Sequence, residues 1–291
     1  MANVRKTHVL VIVLALVTVC PAAEPQRLTY DGKLKLSPAF IAGSTEIVYS
    51  VHEYPTRVMI KRLIVSDGTQ HHELPEGQAS QFDAEFSRDQ HYFVYSKSDT
   101  DRQLKLVIID RRKGEEFVFF PPGTQRSTVR SPRILPDLSR VIFTLNGPGG
   151  QQIASVNLQA KDLQPLTTSD GTNGWPAVSP DGKYIVFSSS RAGPFDLYVM
   201  NADGSGTKRL TQSPASDFHA SWSPDGKRIA FTSARDANYE IYVIGADGEN
   251  LRRITHHPER DDFPIWHSDG EQLLTIAERD GEFDLYLTKI D

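Results

Sequence analysis

A tandem repeat organises the second half of the chain. The phrase Ser-Pro-Asp-Gly-Lys begins at Ser179 and again at Ser223. Three aspartates, Asp181, Asp225 and Asp269, lie 44 residues apart, and each precedes a short apolar run, KYIVFSSSR, KRIAFTSAR or EQLLTIAER. A repeat of this length forms one structural unit that buries its apolar face against the next, so the chain is expected to form a row or a ring of similar units.

The same spacing extends toward the N-terminus. A tyrosine follows each aspartate by 17 residues and a leucine or isoleucine precedes it by 15, at Tyr198, Tyr242 and Tyr286 and at Leu166, Leu210 and Ile254. Weaker copies place Asp137, Asp89 and Gly43 in the aspartate position, at intervals of 44, 48 and 46 residues. Six units therefore cover residues 27–291.

Each unit contains four short apolar runs that end in turns. In one unit the runs are 208–211, 219–223, 228–233 and 240–244, and Pro224-Asp225-Gly226 is typical turn chemistry. A period in the mid-forties with this pattern predicts an all-β fold, a six-bladed β-propeller with four strands per blade.

The two chain ends are expected to meet in one blade. The sixth unit stops after its third strand, and the outer strand that should follow is missing there. Arg27-Leu28-Thr29 matches Arg209-Leu210-Thr211 and Arg253-Ile254-Thr255. We therefore expect the N-terminal strand to close the last blade, which removes an exposed sheet edge.

Residues 1–23 have the pattern of a secretory signal peptide. Arg5 and Lys6 precede an apolar run from Val9 to Val17, and small residues surround Ala22. The sequence thus predicts a signal peptide over 1–23, a propeller over 24–291 and a periplasmic or secreted protein whose mature chain does not insert into a membrane. Cys20 is the single cysteine, and lipid anchoring there is not expected because Val17-Thr18-Val19 lacks the small residue found before lipidated cysteines.

The charge balance argues against nucleic acid as a partner. The formal net charge is −5, and the sequence contains no arginine-rich segment. The sequence also lacks a Gly-x-Ser-x-Gly elbow and a His-Glu-x-x-His motif.

The later repeats resemble a known family. The segments GWPAVSPDGKYIVFSSSRAGPFDLYVMNADGSGTKRLT and HASWSPDGKRIAFTSARDANYEIYVIGADGENLRRIT are similar to the repeats of the TolB propeller family, the WD40-like β-propeller repeat. The resemblance is specific over residues 161–291 and implies a periplasmic adaptor that binds the lipoprotein Pal and other Tol proteins. TolB carries an additional N-terminal α/β domain, for which we expect no space here. Similar repeats form the non-catalytic half of prolyl-oligopeptidase-like enzymes and line the channel of oligogalacturonate lyases.

One pair of positions carries opposite charges in several units. The predicted structural ion pairs are Lys35 with Glu53, Asp217 with Arg235 and Asp261 with Arg279. The acid and the base exchange places in the first unit, which favours a structural pair over a substrate-binding arginine.

A second set of positions should surround the channel mouth, at the starts of the inner strands. Ser37, Asp83, Ser131, Trp175, His219 and Phe263 are equivalent in the six units. We expect Trp175, His219 and Phe263, with Tyr54, Phe195 and Tyr239 in neighbouring loops, to form a partner-binding arc of aromatic side chains. The alternative is that these rings only seal the packing between blades.

These observations favour a non-enzymatic, monomeric platform that binds a protein or a cell-envelope component. No catalytic residue, metal ligand or cofactor is predicted. The alternative is a carbohydrate-active lyase or hydrolase with a metal in the propeller channel.

Overall fold

The protein is described here from a computed structural model that covers residues 24–54, 57–74, 79–98, 103–123, 126–147 and 150–290. The predicted signal peptide at 1–23, with Cys20, lies outside these residues. Within them no helix has the length and apolar character needed to cross a bilayer.

The described residues form β-strands that follow the repeat. Unit 1 contains β2 (Lys35–Phe40), β3 (Glu46–Tyr54), β4 (Arg57–Ile64) and β5 (Gln70–His72). Unit 2 contains β6 (Gln81–Phe86), β7 (Tyr92–Ser98), β8 (Leu104–Asp110) and β9 (Glu115–Phe119). Unit 3 contains β10 (Thr128–Ile134), β11 (Arg140–Gly147), β12 (Gly150–Asn157) and β13 (Gln164–Pro165).

The later units are the most regular. Unit 4 contains β14 (Asn173–Val178), β15 (Tyr184–Ser189), β16 (Asp196–Asn201) and β17 (Lys208–Arg209). Unit 5 contains β18 (Asp217–Trp222), β19 (Arg228–Ser233), β20 (Glu240–Gly245) and β21 (Arg252–Arg253). Unit 6 contains β22 (Asp261–Trp266), β23 (Gln272–Arg279) and β24 (Glu282–Lys289), and β1 (Gln26–Arg27) adds to its edge.

The sheets are arranged as an all-β propeller. Units 1, 4, 5 and 6 are separate four-stranded antiparallel sheets. The strands of units 2 and 3 belong to one eight-stranded sheet, in which a single parallel pair, Leu104 with Thr128, joins β8 to β10.

The hydrophobic core is divided into clusters that lie between successive units. One cluster packs Val94 and Leu106 of unit 2 against Phe143 of unit 3, and others join units 1 and 2, 3 and 4, 4 and 5, and 5 and 6. A further cluster packs Tyr49 of unit 1 against Leu274 of unit 6. The apolar contacts therefore return to their starting point and form a closed ring.

The repeated Ser-Pro-Asp-Gly phrase makes a hydrogen-bonded turn. In unit 5 the Ser223 hydroxyl donates to Asp225 Oδ1 at 2.6 Å and accepts from the Arg228 amide at 2.9 Å. Asp225 also accepts from the Lys227 amide at 3.0 Å, and Gly226 has φ +70°. The glycine is required because other residues pay a steric cost at that φ.

The N-terminal strand closes unit 6, as the repeat predicts. Gln26 pairs with Leu287 and Arg27 with Tyr286. Asp284, which is buried, accepts hydrogen bonds from Arg27 Nη2 and Thr29 Oγ1, both at 2.5 Å. Burial acts to raise the pKa of Asp284, but hydrogen bonds from Thr29, Lys35 and Arg27 hold it below its ordinary value.

Two other units contain the same arrangement within a continuous chain. Arg209 bonds Asp196 at 2.5 Å in unit 4, and Arg253 bonds Glu240 at 2.9 Å in unit 5. In unit 3 a neutral version occurs, because Thr167 donates to Gln152 at 2.7 Å and Pro165 replaces the arginine. In units 3 to 6 the outer strand is thus held to its neighbour by an equivalent side-chain contact.

Candidate functional site

The six positions predicted to surround the channel mouth share an unusual backbone conformation. Each is a non-glycine residue with positive φ: Ser37 (48°), Asp83 (55°), Ser131 (51°), Trp175 (51°), His219 (53°) and Phe263 (53°). The pairing register shifts at each of these positions, which is the mark of a β-bulge. Each left-handed residue costs about 1 kcal/mol or more, so the bulges are a costly and regular feature of the innermost strands.

The predicted aromatic side chains of units 4, 5 and 6 contact one another. His219 stacks on Phe263 with ring centroids 3.8 Å apart, and Trp175 meets His219 edge-on at 5.2 Å. Phe195 lies 5.4 Å from Trp175. Tyr239 contacts Phe218, which the sequence analysis did not select, at 5.1 Å. The arc therefore spans three adjacent units, and its rings are partly exposed apart from buried Phe218.

Tyr54 lies apart from this cluster. It is 45% exposed at the end of β3, and Arg57 covers its ring at 4.2 Å. The structure records no ring contact between Tyr54 and the other predicted aromatic residues among those it describes. The mouth cluster is thus built from units 4 to 6.

Asp262 orients His219. Its Oδ1 lies 2.7 Å from His219 Nδ1 and accepts from Thr232 Oγ1 at 2.8 Å, and Arg260 bonds its other oxygen. Burial acts to raise the pKa of Asp262, but His219 and Arg260 hold it well below its ordinary value. The repeat pattern did not single out Asp262, although Asp262 directly precedes Phe263, one of the six equivalent positions at the mouth.

A second buried carboxylate organises the opposite side of the mouth. Asp83 accepts from Arg130 Nε at 2.5 Å, from the Ser131 amide at 2.9 Å and from Ser37 Oγ at 2.7 Å. Burial would raise the pKa of Asp83, but Arg130 and these hydrogen bonds lower it to about 2. Asp83 therefore ties units 1, 2 and 3 together at the channel.

The channel is narrow where these side chains meet. Ser37, Ser131, Trp175, His219 and Phe263 line a cavity of about 20 Å³. That volume suits roughly one water molecule rather than a sugar ring.

Two of the predicted ion pairs lie inside their units. Arg235 Nη2 is 2.9 Å from Asp217 Oδ2, and Arg279 Nη2 is 2.8 Å from Asp261 Oδ1. Both acids are buried, and each guanidinium lies over a tyrosine ring, Tyr242 or Tyr286.

The expected pair of Lys35 with Glu53 is wrong. Lys35 Nζ is fully buried and reaches across the ring closure to Asp284 Oδ1 at 3.0 Å, with Asp31 as its second acid. Glu53 instead pairs with Lys33 at 2.8 Å and Lys61 at 2.9 Å. Spacing within one unit missed this outcome because one of the two acids that Lys35 contacts, Asp284, belongs to the last unit.

The other end of the channel opens into a larger cavity that sequence reasoning did not single out. Its volume is about 500 Å³, and residues from all six units line it. Pro180, Pro224, Trp222 and Trp266 lie in its wall, and Arg88 donates to the Pro180 carbonyl at 2.7 Å. The 44-residue spacing of the two prolines and of the two tryptophans was the signal that could have revealed it.

Within the described residues, no cluster of three or more histidine, cysteine, aspartate or glutamate side chains is placed to hold an ion.

Comparisons with known proteins agree on the fold. The TolB beta propeller domain family matches residues 92–291. Sequence comparison with the curated proteins gives no match. A putative TolB from Agrobacterium tumefaciens has a TM-score of 0.64 and 20% identity, covering 76% of this chain and 81% of that protein.

Two further solved structures are similar. TolB from Acinetobacter baumannii has a TM-score of 0.63 and 19% identity. The match covers 84% of this chain and 63% of that protein. An oligogalacturonate lyase in complex with manganese has a TM-score of 0.60 and 14% identity, covering 91% of this chain and 92% of the lyase. At these identities the structural matches establish the fold alone, whereas the family match covers more than half of the sequence. The chain belongs to the TolB beta propeller domain family.

Proposed function

We propose that residues 24–291 form a six-bladed propeller in which each repeat unit is one blade. The six core clusters support this count, since one lies at each junction between successive units and one lies between units 6 and 1. The single parallel pair between Leu104 and Thr128 then joins two blades, units 2 and 3.

We further propose that the protein is a non-enzymatic platform, periplasmic or secreted, that binds a protein or a cell-envelope component. The observation that carries this proposal is the aromatic cluster of Trp175, Phe195, His219, Tyr239 and Phe263 at one channel mouth, in which buried Phe218 links Tyr239 to the other rings. Partly exposed aromatic side chains on a rigid scaffold are typical anchors of protein interfaces. Membership of the TolB family supports an envelope partner.

A channel enzyme is the second candidate. The pairing of His219 with buried Asp262 favours it, because a carboxylate that orients an imidazole is a common general-base arrangement. The cavity of about 20 Å³ beside His219 opposes a substrate site inside the channel, because a saccharide needs several hundred Å³. The binding platform therefore accounts better for this geometry.

The experiment compares capture of envelope components by immobilised mature protein and by two variants. Trp175→Ala combined with Tyr239→Ala should reduce capture of the specific partner about tenfold or more, because interface anchors of this kind each contribute about 1–2 kcal/mol. Tyr184→Ala is the matched control, since Tyr184 is an exposed aromatic residue at the opposite end of its blade. Equal loss in the control, or no loss in the double variant, would contradict the proposed surface.

Metal analysis separates the two candidates. A stoichiometric ion in the purified protein, with lyase or hydrolase activity that His219→Ala abolishes, would replace the platform with the channel enzyme.

A further inference from the structure

The cavity at the far end of the channel, opposite the aromatic mouth, has the size of a small-molecule site. Its volume is about 500 Å³, and ligand pockets commonly measure about 300–1,000 Å³. The cavity at the mouth holds only about 20 Å³, so the channel is nearly closed at that end. A ligand of the larger cavity therefore enters from the far end.

Two rings of equivalent positions form the wall of this cavity. The first ring lies two residues after each bulge, and three of its members are small, namely Ala39, Ala177 and Ser221. The second ring, one residue further on, consists of apolar side chains: Phe40, Phe86, Ile134, Val178, Trp222 and Trp266. The small residues leave room in the channel, and the aromatic side chains offer flat apolar surfaces to a ligand.

Arg133 places a guanidinium group in the first ring. It lines both the larger cavity and the narrow cavity at the mouth, and its side chain is 24% exposed. Its Nη1 donates to the Pro132 carbonyl at 2.9 Å, whereas Nε and Nη2 donate to no acceptor in the part of the chain that the structure describes. Arg133 therefore keeps donors that a ligand can use.

Glu85 satisfies Arg133 only in part. Its Oε2 lies 3.4 Å from Arg133 Nη1, and its Oε1 accepts from the Ile134 amide at 3.4 Å. Both distances are long for a hydrogen bond, whereas Arg130 Nε lies 2.5 Å from Asp83 at the mouth. Burial raises the pKa of Glu85 even beside Arg133, which is consistent with a weak pair.

The charges around the cavity favour an anion. Two guanidinium groups, those of Arg88 and Arg133, line it, and Glu85 is the single carboxylate among its described lining residues. Arg88 is exposed and reaches from unit 2 to unit 4, where it donates to the Pro180 carbonyl at 2.7 Å. The excess of positive charge attracts a carboxylate and repels an ammonium group.

We propose that this cavity binds a small aromatic carboxylic acid, whose carboxylate accepts hydrogen bonds from Arg133 and whose ring lies against Trp222 and Trp266. A planar guanidinium suits a carboxylate, and the apolar second ring suits the aromatic body. The site lies at the end of the channel opposite the aromatic mouth and does not depend on the platform function.

The test is calorimetric titration of the full mature protein with 2-naphthoate and with 2-naphthamide, a neutral molecule of nearly the same shape. Naphthoate should bind the wild type. Naphthamide should bind about tenfold or more weakly, because it forms no charge-assisted hydrogen bond with Arg133. Glu85→Gln removes the competing carboxylate and should tighten naphthoate binding about threefold.

A double variant tests the role of Arg133 directly. Glu85→Gln combined with Arg133→Gln removes both charges, so no carboxylate is left unpaired in the channel. This variant should bind the two probes equally. Arg112→Gln is the matched control, since Arg112 is an exposed arginine of unit 2 outside the cavity lining, and it should keep the wild-type preference for naphthoate.

Four results would overturn the proposal. They are an absence of naphthoate binding to the wild type, equal binding of the two probes, an unchanged preference in the double variant, and loss of the preference in Arg112→Gln. Thermal unfolding verifies that each variant is folded. If the double variant does not fold, Glu85→Gln decides, because unchanged or weaker naphthoate binding there would also overturn the proposal.

Discussion

Replacing Asp284 by alanine should lower the free energy of unfolding more than an aspartate-to-alanine change within one continuous unit, because Asp284 joins the two ends of the chain. Asp284 accepts hydrogen bonds from Arg27, Thr29 and Lys35, and the Lys35 side chain is fully buried. Removing one partner of a buried ion pair costs about 3–5 kcal/mol, and we expect the lower end because Lys35 keeps Asp31 and two carbonyl oxygens. The loss of the acceptor for Thr29 adds about 1 kcal/mol, so the free energy of unfolding should fall by about 4 kcal/mol.

Asp196→Ala is the matched control because Asp196 accepts from Arg209, Thr211 and the Ser213 amide within one continuous unit. The Arg209 side chain is 32% exposed and can be hydrated when its partner is lost, so the main cost is the unpaired Ser213 amide and the change should cost about 2 kcal/mol. Urea unfolding monitored by tryptophan fluorescence measures both values.

Hydrogen exchange then locates the effect. The Leu28 amide donates to the Leu285 carbonyl, and the Leu285 amide donates to Thr29 Oγ1. Both amides should exchange faster in Asp284→Ala, and their exchange rates should stay unchanged in Asp196→Ala. Equal destabilisation by the two changes, or undisturbed protection of these amides, would refute the reasoning that the closure is a separately weakened joint.

Three further outcomes are expected. The pKa of Asp83 is lowered from 3.8 to about 2, so the ionised Asp83 stabilises the folded state above about pH 4, and this contribution is lost as the pH falls toward 2. In urea unfolding at a series of pH values, Asp83→Asn should remove about 2 kcal/mol of this pH-dependent stability. Arg235→Ala should lower the free energy of unfolding by about 2 kcal/mol, because buried Asp217 loses its partner, and should leave partner capture intact. Loss of capture with unchanged stability would mean instead that Arg235 contacts the partner. Gly204→Ala should be less stable than Gly150→Ala by about 2 kcal/mol in the same assay. The two glycines have similar φ, +87° and +85°, but an added Cβ would lie 2.7 Å from the Leu166 carbonyl at Gly204, whereas Gly150 has open space.

Repeat spacing located the strands closely because turn chemistry and apolar runs recur in each unit. The inner strand expected at 219–223 is found at Asp217–Trp222, and the strand expected at 240–244 is Glu240–Gly245. Pairing of the first strand with the last also followed from the matched Arg-Leu-Thr segments. These features depend on local sequence that one unit shares with the next.

Other features depend on how units approach one another, and spacing within a unit does not contain that information. Asp284, one of the two acids that Lys35 contacts, comes from the far end of the chain. The bulge at the mouth occurs at serine, aspartate, tryptophan, histidine and phenylalanine, which share no preference for positive φ. The cavity at the opposite channel end likewise forms only when six strand ends converge.

The pairing of Arg27 with Tyr286 sets a limit on the order of events during synthesis. Ribosomes release the N-terminal residues first, yet the edge that they cover does not exist until the last strand has emerged. Contacts between residues so far apart in sequence form slowly. Until β1 pairs with β24, β24 is an open sheet edge that can pair with another chain. We therefore expect newly made molecules to be prone to aggregation through this edge until the ring closes.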